Sequence, residues 1–482
     1  MNYRMIFRII GRILCTEAAF MLPALVISFC CGETLPGLCF LAVAAAAALT
    51  GFLLSRLRTK TETFHAREGF VAVGLAWILV SLFGALPFFF SGEIPNFMDA
   101  VFETVSGFTT TGASILTDVE AMSTGLLYWR SFTHWLGGMG VLVFILAIGP
   151  VSGQESGDAM HLLRAESPGP QVNKLVPRMH RTAKILYGIY IAFTVLETVF
   201  LLCGGMPLFD AVTAAFETAG TGGFSIKADS MAGYSGYCQT VVTVFMLIFG
   251  VNFSLYYLIL MKQFRSVFRN EELRAYLLIV VCSTLLITFN ILRLYHGFGE
   301  ALHHAAFQVA SIITTSGFAT ADFNLWPQLS RTILLMLMIV GACAGSTGGG
   351  TKISRILLAF RSGRRAIYRA LRPNSVKLIH MDGEPVEDET VTGVQSYFVL
   401  YFIFMAFSVL IVSLDNFSFE TNFTSVLSCL NNIGPGLDMV GPTGNYAAFS
   451  VLSKLVLTVD MLLGRLELYP ILVLCAPSVW KK

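Results

Sequence analysis

Windows of about twenty mostly apolar residues, the length a helix needs to cross a bilayer, recur from one end of this chain to the other. They fall near Ile9–Cys31, Pro36–Leu57, Phe70–Phe90, Leu126–Pro150, Ala183–Cys203, Thr240–Met261, Ala275–Tyr295, Ile333–Phe360, Val394–Leu414 and Phe449–Cys475. Only 13% of the 482 residues are charged, about half the share in soluble domains. The expectation is an all-α polytopic membrane protein with ten spans. Arg4, Arg8 and Arg12 ahead of the first segment resemble the start of a secretory signal. Its end, Val26 to Cys31, lacks the small residue that precedes a cleavage point, so it reads as a span. The ten cysteines are scattered, without a CxxC pair or nearby histidines, and read as small apolar fillers.

Charge is unevenly placed. Arg56, Arg58, Lys60 and Arg67 follow the second segment, Arg164, Lys174, Arg178, Arg181 and Lys184 the fourth, and Lys262, Arg265, Arg269 and Arg274 the sixth. Arg361, Arg364, Arg365, Arg369, Arg372 and Lys377 follow the eighth. The alternate loops are acidic, with Asp99, Asp118, Asp210, Asp322 and Asp438 among them. The positive-inside rule therefore puts the basic loops and both termini in the cytoplasm. Arg4, Arg8, Lys481 and Lys482 agree with an even number of crossings.

Between the apolar segments one motif returns four times, as TTTGAS, TGGFS, TTSGFAT and NNIGPG. Aligning Gly112, Gly223, Gly317 and Gly434 puts Thr110, Thr221, Thr315 and Asn432 two residues earlier, at spacings of 111, 94 and 117 residues. A period of this kind signals internal duplication. Each unit reads as a full span, a helix too short to cross, a Thr–Gly turn and a returning span. The short helices are Pro95–Ser106, Pro207–Ala219, Ala301–Ile313 and Glu420–Leu430. The units cover residues 61–155, 156–270, 271–378 and 379–482, after a two-span extension at 1–60. Irregular backbone at membrane depth survives only inside protein or beside water, so four such turns point to one shared axis.

A dehydrated cation needs a ring of oxygens, which carbonyls turned inward at glycine can supply. Threonine hydroxyls can add ligands or tie the turn down. The short helices would aim their partially negative C-terminal ends at the same place. A single Thr–Gly turn is more readily explained as a helix cap; four in register are not. The candidate cation-binding residues are Thr110, Thr111, Gly112, Gly220, Thr221, Gly222, Gly223, Thr314, Thr315, Ser316, Gly317, Asn432, Ile433 and Gly434.

With these motifs, GACAGSTGGGTK at Gly341–Lys352 and GRLE at Gly464–Glu467, the chain resembles the potassium transporters of the Trk/Ktr/HKT superfamily, most closely the TrkH type. The resemblance implies a channel-like pore with a four-segment selectivity filter and a homodimer in the bacterial cytoplasmic membrane. It further implies gating by a cytosolic nucleotide-binding ring of TrkA type. Nucleotide is then expected only on that separate subunit, with potassium as the transported ion and no cofactor or nucleic acid on this chain. In this superfamily a serine at the first filter glycine accompanies sodium transport; glycine at all four positions here favours potassium.

The run GACAGSTGGGTK interrupts the eighth segment with glycines that break a helix at about 1 kcal/mol each. It is not a phosphate-binding loop, because Thr351 separates Gly350 from Lys352 and no strand precedes it. Packing through small residues is the other plain explanation, but so many small residues between Ala344 and Gly350 read better as an unwound loop. The resemblance implies that this loop, Gly345, Ser346, Thr347, Gly348, Gly349 and Gly350 with Lys352, lies under the filter as a gate. Arg465, about 24 Å down the tenth segment, reaches a depth comparable to the loop. It either pairs locally with Glu467 or reaches the loop. Asp460 is a second intramembrane charge, a possible partner for Arg465 or Lys454. A secondary transporter coupled to sodium or protons is the rival reading, which broken spans in matching halves would favour; on sequence only the eighth looks broken. The eight histidines form no paired motif that would support an enzyme.

Overall fold

The computed structural model describes residues 1–57, 66–138, 140, 179–374 and 377–480. Among the described residues the regular structure is almost entirely helical. Two long helices, α1 (Tyr3–Cys30) and α2 (Thr34–Ser55), come first. They cross at Gly11 and Gly51, where a Cβ on either glycine would lie 2.6 Å from the other's carbonyl oxygen. Lipid offers no hydrophobic drive to helix pairing, so small residues that let backbones approach supply the contact instead. The first helix begins at Tyr3 and so takes Arg4, Arg8 and Arg12 into its first turns.

Four long–short–turn–long successions follow. The first is α3 (Ala66–Phe90), the short α4 (Phe97–Phe108) and α5 (Thr124–Gly138); the second is α6 (Met179–Cys203), the short α7 (Leu208–Gly220), then α8 (Gly236–Phe249) and α9 (Phe253–Leu260). After the small α10 (Phe264–Arg269) come α11 (Glu271–Ile291), the short α12 (Phe298–Ile313), α13 (Gln328–Val340) and α14 (Ile353–Leu371). A two-residue hairpin, His380–Met381 with Glu384–Pro385, leads to α15 (Asp388–Val412), the short α16 (Phe419–Asn431), α17 (Val451–Arg465), α18 (Tyr469–Cys475) and α19 (Pro477–Trp480). Among the described residues six helices are long and apolar enough to cross a membrane, and α8 with α9 makes a seventh if counted together.

Each short helix packs against the spans of its own succession and against the returning span of the one before. Thus α7 lies on α5, α12 on α8, α16 on α13, and α4 closes the circle on α17. The short helices are buried over their C-terminal halves, where Ala, Ser, Thr and Gly alternate with larger residues and permit this close approach.

The structure corrects one expectation about continuity. The eighth segment is interrupted, with no helix between Val340 and Ile353, but so are two others. The sixth bends by 88° at the break between α8 and α9. The tenth breaks after Arg465, where Glu467 and Leu468 take positive φ of 54° and 72°. Neither contains a glycine run at the break, and Pro470, at the start of α18, is a lone proline in an apolar stretch, so periodicity alone ran through them. Three parts of the sequence reading lie outside the described residues: Arg58 and Lys60, the end of the fourth segment with nearly all of the basic Arg164–Lys184 stretch, and Lys481 with Lys482.

Candidate functional site

The four short helices end in the same way. The N–H of Thr110, Thr221, Thr315 and Asn432 bonds back to the carbonyls of Gly107, Thr218, Ile312 and Cys429, at 3.0, 3.0, 3.2 and 3.3 Å. The next N–H, of Thr111, Gly222, Ser316 and Ile433, reaches Ser106, Glu217, Ser311 and Ser428 at 2.8, 2.9, 2.8 and 3.0 Å. This is the Schellman pair of bonds, which requires a left-handed residue at the turn. Thr110, Thr221, Thr315 and Asn432 all adopt it, with φ of 55°, 55°, 58° and 54°. Asparagine tolerates that region, whereas β-branched threonine does not. Such strain costs on the order of 1–3 kcal/mol per residue and is held only where surroundings over-determine it.

Two residues later Gly112, Gly223, Gly317 and Gly434 also have positive φ, between 62° and 98°. Their neighbours form a closed sequence. A Cβ on Gly112 would overlap the carbonyl oxygen of Gly222, one on Gly223 that of Ser316, and one on Gly317 that of Ile433. A Cβ on Gly434 would lie 2.7 Å from the carbonyl oxygen of Thr111 and return the circle to its start. No described residue donates a hydrogen bond to the carbonyls of Thr110, Thr111, Gly112, Thr221, Gly222, Gly223, Thr315, Ser316, Gly317, Asn432 or Ile433. Buried carbonyls are ordinarily paired, so eleven unpaired ones in four abutting turns form a set of oxygens with spare lone pairs. Among the described residues no cluster of His, Cys, Asp and Glu is placed to hold a metal ion.

Hydroxyls mostly brace the turns. Thr109 Oγ1 and Thr111 Oγ1 stand 2.7 Å apart, and Thr314 Oγ1 and Ser316 Oγ repeat the pair at 2.9 Å. Ser311 Oγ and Ser428 Oγ donate to the carbonyls of Phe318 and Gly434, at 2.6 and 2.8 Å. Asn432 Nδ2 donates to Thr111 Oγ1 at 3.0 Å and to the Met461 carbonyl at 2.9 Å, so the divergent fourth turn keeps a tie to the first.

Buried ionic groups behind the turns were missed by sequence reasoning. Glu103 accepts from the Ile115 N–H (2.9 Å), Ser114 Oγ (2.9 Å) and Arg130 Nε (2.6 Å), and Arg130 Nη1 donates to the Ser225 carbonyl at 2.7 Å. Glu217 accepts from the Ser225 N–H at 3.0 Å and Ser131 Oγ at 2.6 Å. The available signal was a carboxylate inside each of two short apolar helices, since a membrane-buried charge is costly unless used.

The glycine loop, residues 341–352, lies directly against the third and fourth turns. The Gly349 N–H donates to Thr315 Oγ1 at 2.6 Å and the Gly350 N–H to the Asn431 carbonyl at 3.0 Å. Glu272 Oε1 accepts from the N–H groups of Ala344 (2.8 Å) and Ser354 (3.0 Å), and Gly250 and Phe253 at the bend in the sixth segment bond to Cys343 and Gly345. Thr347 Oγ1 donates to the Phe249 carbonyl at 3.3 Å and Ser346 Oγ to Cys343 at 2.7 Å. Lys352 turns back to donate its Nζ to the Gly348 carbonyl. Arg465 spans loop and turns: Nη1 donates to the Thr347 carbonyl (2.8 Å) and Thr110 Oγ1 (3.2 Å), and Nη2 to the Gly137 carbonyl (2.5 Å).

Two candidate pairings are corrected. Glu467 is not the partner of Arg465; it is ion-paired with the buried Arg355, because the positive-φ step at Glu467 turns its side chain toward α14. Asp460 meets neither Arg465 nor Lys454. It accepts from Ser408 Oγ at 2.8 Å on the facing α15, while Lys454 pairs with Asp99 at 2.7 Å.

Comparison with known proteins bears on this arrangement. The family profile described as "TrkH: Cation transport protein" matches residues 38–482. The chain belongs to the TrkH family. It is 38% identical to the Trk system potassium uptake protein TrkH of Salmonella typhimurium and 36% identical to that of Escherichia coli K12, in both cases over the full length of both chains. The crystal structure of the potassium transporter TrkH from Vibrio parahaemolyticus superposes with a TM-score of 0.87 at 31% identity, again over all of both chains. TrkH-family membership and a bundle of apolar helices make this chain a membrane-embedded transport protein.

Proposed function

We propose that the chain conducts potassium ions into the cell through a single gated pore, with the four turns as its selectivity filter. The observation that carries this reading is the closed circle of glycine-to-carbonyl contacts around unpaired carbonyls. Carbonyls held in such a ring replace the hydration shell of a cation, and the four short helices aim their negative ends at it. The relatives' role in potassium uptake favours potassium as the ion. In this reading the units 61–155, 156–270, 271–378 and 379–482 are pseudo-repeats around the pore. With the extension at 1–60 they give ten spans, both termini in the cytoplasm and the chain in the bacterial cytoplasmic membrane.

The loop 341–352 is the gate and Arg465 its latch. Conduction is passive, driven by membrane potential at about 2.3 kcal/mol per charge per 100 mV. The breaks in the sixth, eighth and tenth segments fall in the returning span of three successive units. Alternating access with a coupling ion would instead place them in matching inverted halves. The protein works as a homodimer under a TrkA-like nucleotide-binding ring. That ring docks on the basic end of α14, where Arg364 and Arg369 are exposed while Arg361 and Arg365 are bound to Glu271 and Asp388. Charge removal at Arg364 and Arg369 should lower co-purification with the ring and leave membrane insertion intact.

The test of the filter is substitution of Gly112, Gly223 and Gly317 by serine, reading potassium and sodium uptake into proteoliposomes. Each added Cβ collides with the next turn's carbonyl and should cut potassium preference; unchanged preference in all three variants rejects the filter.

A further inference from the structure

The second turn differs from the other three. At the positions three and one before the aligned glycine, the first and third turns carry hydroxyl pairs, Thr109 with Thr111 and Thr314 with Ser316. The fourth carries Asn431 and Ile433, with Asn431 Nδ2 donating to Tyr401 at 2.8 Å. The second has Gly220 and Gly222, and neither has a side chain with which to brace the backbone. Glycine loses more freedom on ordering than any other residue, so an unbraced turn of this composition should be the softest of the four.

The space left by those missing side chains is filled by α5. A Cβ on Gly222 would overlap Nδ1 and Cγ of the His134 ring, and a Cβ on Gly220 would overlap the His134 carbonyl. His134 is fully buried, and its ring stacks on Phe224 at 4.1 Å between centroids. The guanidinium of Arg130 lies 3.6 Å from the centroid of the same Phe224 ring. Arg130 is fixed in turn by Glu103 on α4 and by the Ser225 carbonyl just beyond the turn. One helical turn of α5 thus presses on the second turn with His134 and grips the residues that follow it with Arg130. The same helix touches the first turn, where a Cβ on Gly137 would overlap the Phe108 carbonyl.

We infer that His134 is the positioning residue of the second turn, its ring standing in for the side chains that brace the other three and so holding the Gly222 and Gly223 carbonyls in place for ion selection. This rests on the filter reading above. It explains why glycine occupies position 222, where no side chain fits with the ring in place; Gly220 is confined instead by the His134 main-chain carbonyl. The residue acts through Gly222 and touches no ion.

The test is a double-mutant cycle in full-length protein in proteoliposomes, reading the ratio of potassium to sodium uptake. His134→Ala leaves a gap and Gly222→Ser collides with the ring, so each alone should lower the ratio, roughly tenfold for a displacement of part of an ångström. The double variant gives the serine the vacated space and should recover most of the lost preference. Losses that multiply in the double variant, or a His134→Ala protein with full preference, overturn the inference. His134→Asn keeps atoms at Cγ and Nδ1, the two nearest Gly222, and should retain more preference than alanine. If His134→Ala cannot be purified folded, equal ratios for His134→Asn alone and with Gly222→Ser overturn it. Gly112→Ser is the control. If it too leaves the ratio unchanged, the filter reading has failed; if it alone lowers the ratio, only the role of His134 has.

Discussion

The four turns and the glycine loop are both irregular backbone at the centre of a helical bundle, yet they are held in opposite ways. Each turn is closed by bonds to its own helix, no more than six residues back, and the first and third also by hydroxyl pairs within the same segment. The loop has few such internal ties. Its backbone depends on Glu272 of α11, Thr315 and Asn431 of two turns, Gly250 at a neighbouring break and Arg465 of α17. A structure fastened locally keeps its shape while its surroundings shift. One fastened from five directions can be released as a unit when a few long-range bonds are lost. In the proposed reading the same contrast separates a filter, which discriminates between ions of similar size, from a gate, which moves.

Arg465→Ala should separate the two most sharply. It removes three hydrogen bonds, two of them to main-chain carbonyls, and bonds to a charged group are worth about 1.5–3 kcal/mol each. Potassium flux without any partner protein should rise by at least about tenfold, with the potassium-to-sodium ratio preserved. A silent, well-folded variant would show that the arginine is structural, and a lost ratio would show that loop and turns are one element. Deleting 344–350 should produce the same leak.

Glu272→Ala tests the loop from the far side. Two buried N–H groups, of Ala344 and Ser354, lose their acceptor at about 1–3 kcal/mol apiece. The expected outcome is a leak smaller than that of Arg465→Ala, because the contact to the turns survives, again with the flux ratio unchanged. Thr315→Val probes the joint between the regions. It keeps the β-branched shape while removing the acceptor of the Gly349 N–H, a bond of about 1 kcal/mol. Flux should rise about fivefold, and a change in ion preference would show that strain passes from loop to turn.

The smallest effect is expected just beyond the fourth turn. Asp438 accepts hydrogen bonds from Ser418 and Thr421, which lower its pKa below the ordinary aspartate value. A depressed folded-state value means that the contribution is complete above the ordinary pKa of 3.8 and disappears as the pH falls through the lowered one. Potassium flux should therefore be flat through neutral pH, and Asp438→Asn should reproduce in mild form, at any pH, the loosening expected under strong acid. A midpoint near neutrality in wild-type flux would point to another group.

The sequence made some of this legible and hid the rest for identifiable reasons. Glycine and threonine at fixed offsets revealed the turns, since four copies in register left little to chance. The eighth-segment interruption was visible because glycines cluster there. The bends after Phe249 and Arg465 were not, because their local signals are single residues inside apolar runs: Asn252, which caps α9 by accepting from the Ser254 N–H, and Pro470 at the start of α18. Side-chain partners were least legible. Glu467 is two residues from Arg465 in sequence yet pairs with Arg355, 112 positions away, and Asp460 answers to a serine. Pairings across helices depend on rotation about the helix axis, which periodicity constrains only to a face.

The circle of turns has a consequence for synthesis. Its last contact joins Asn432 and Gly434 to Thr111, and the bond from Asn432 to Thr111 spans 321 residues. Lys454 with Asp99 and the Tyr446 N–H with the Ser114 carbonyl fasten the same seam. At ribosomal rates of 5–20 residues per second the first turn waits roughly 15 to 65 s for its neighbour. Through that interval its strained threonine and unpaired carbonyls stand open on one side in the membrane. A nascent chain of this kind is an obvious client for whatever assists membrane insertion, and premature termination before α16 would release a product whose ring cannot close.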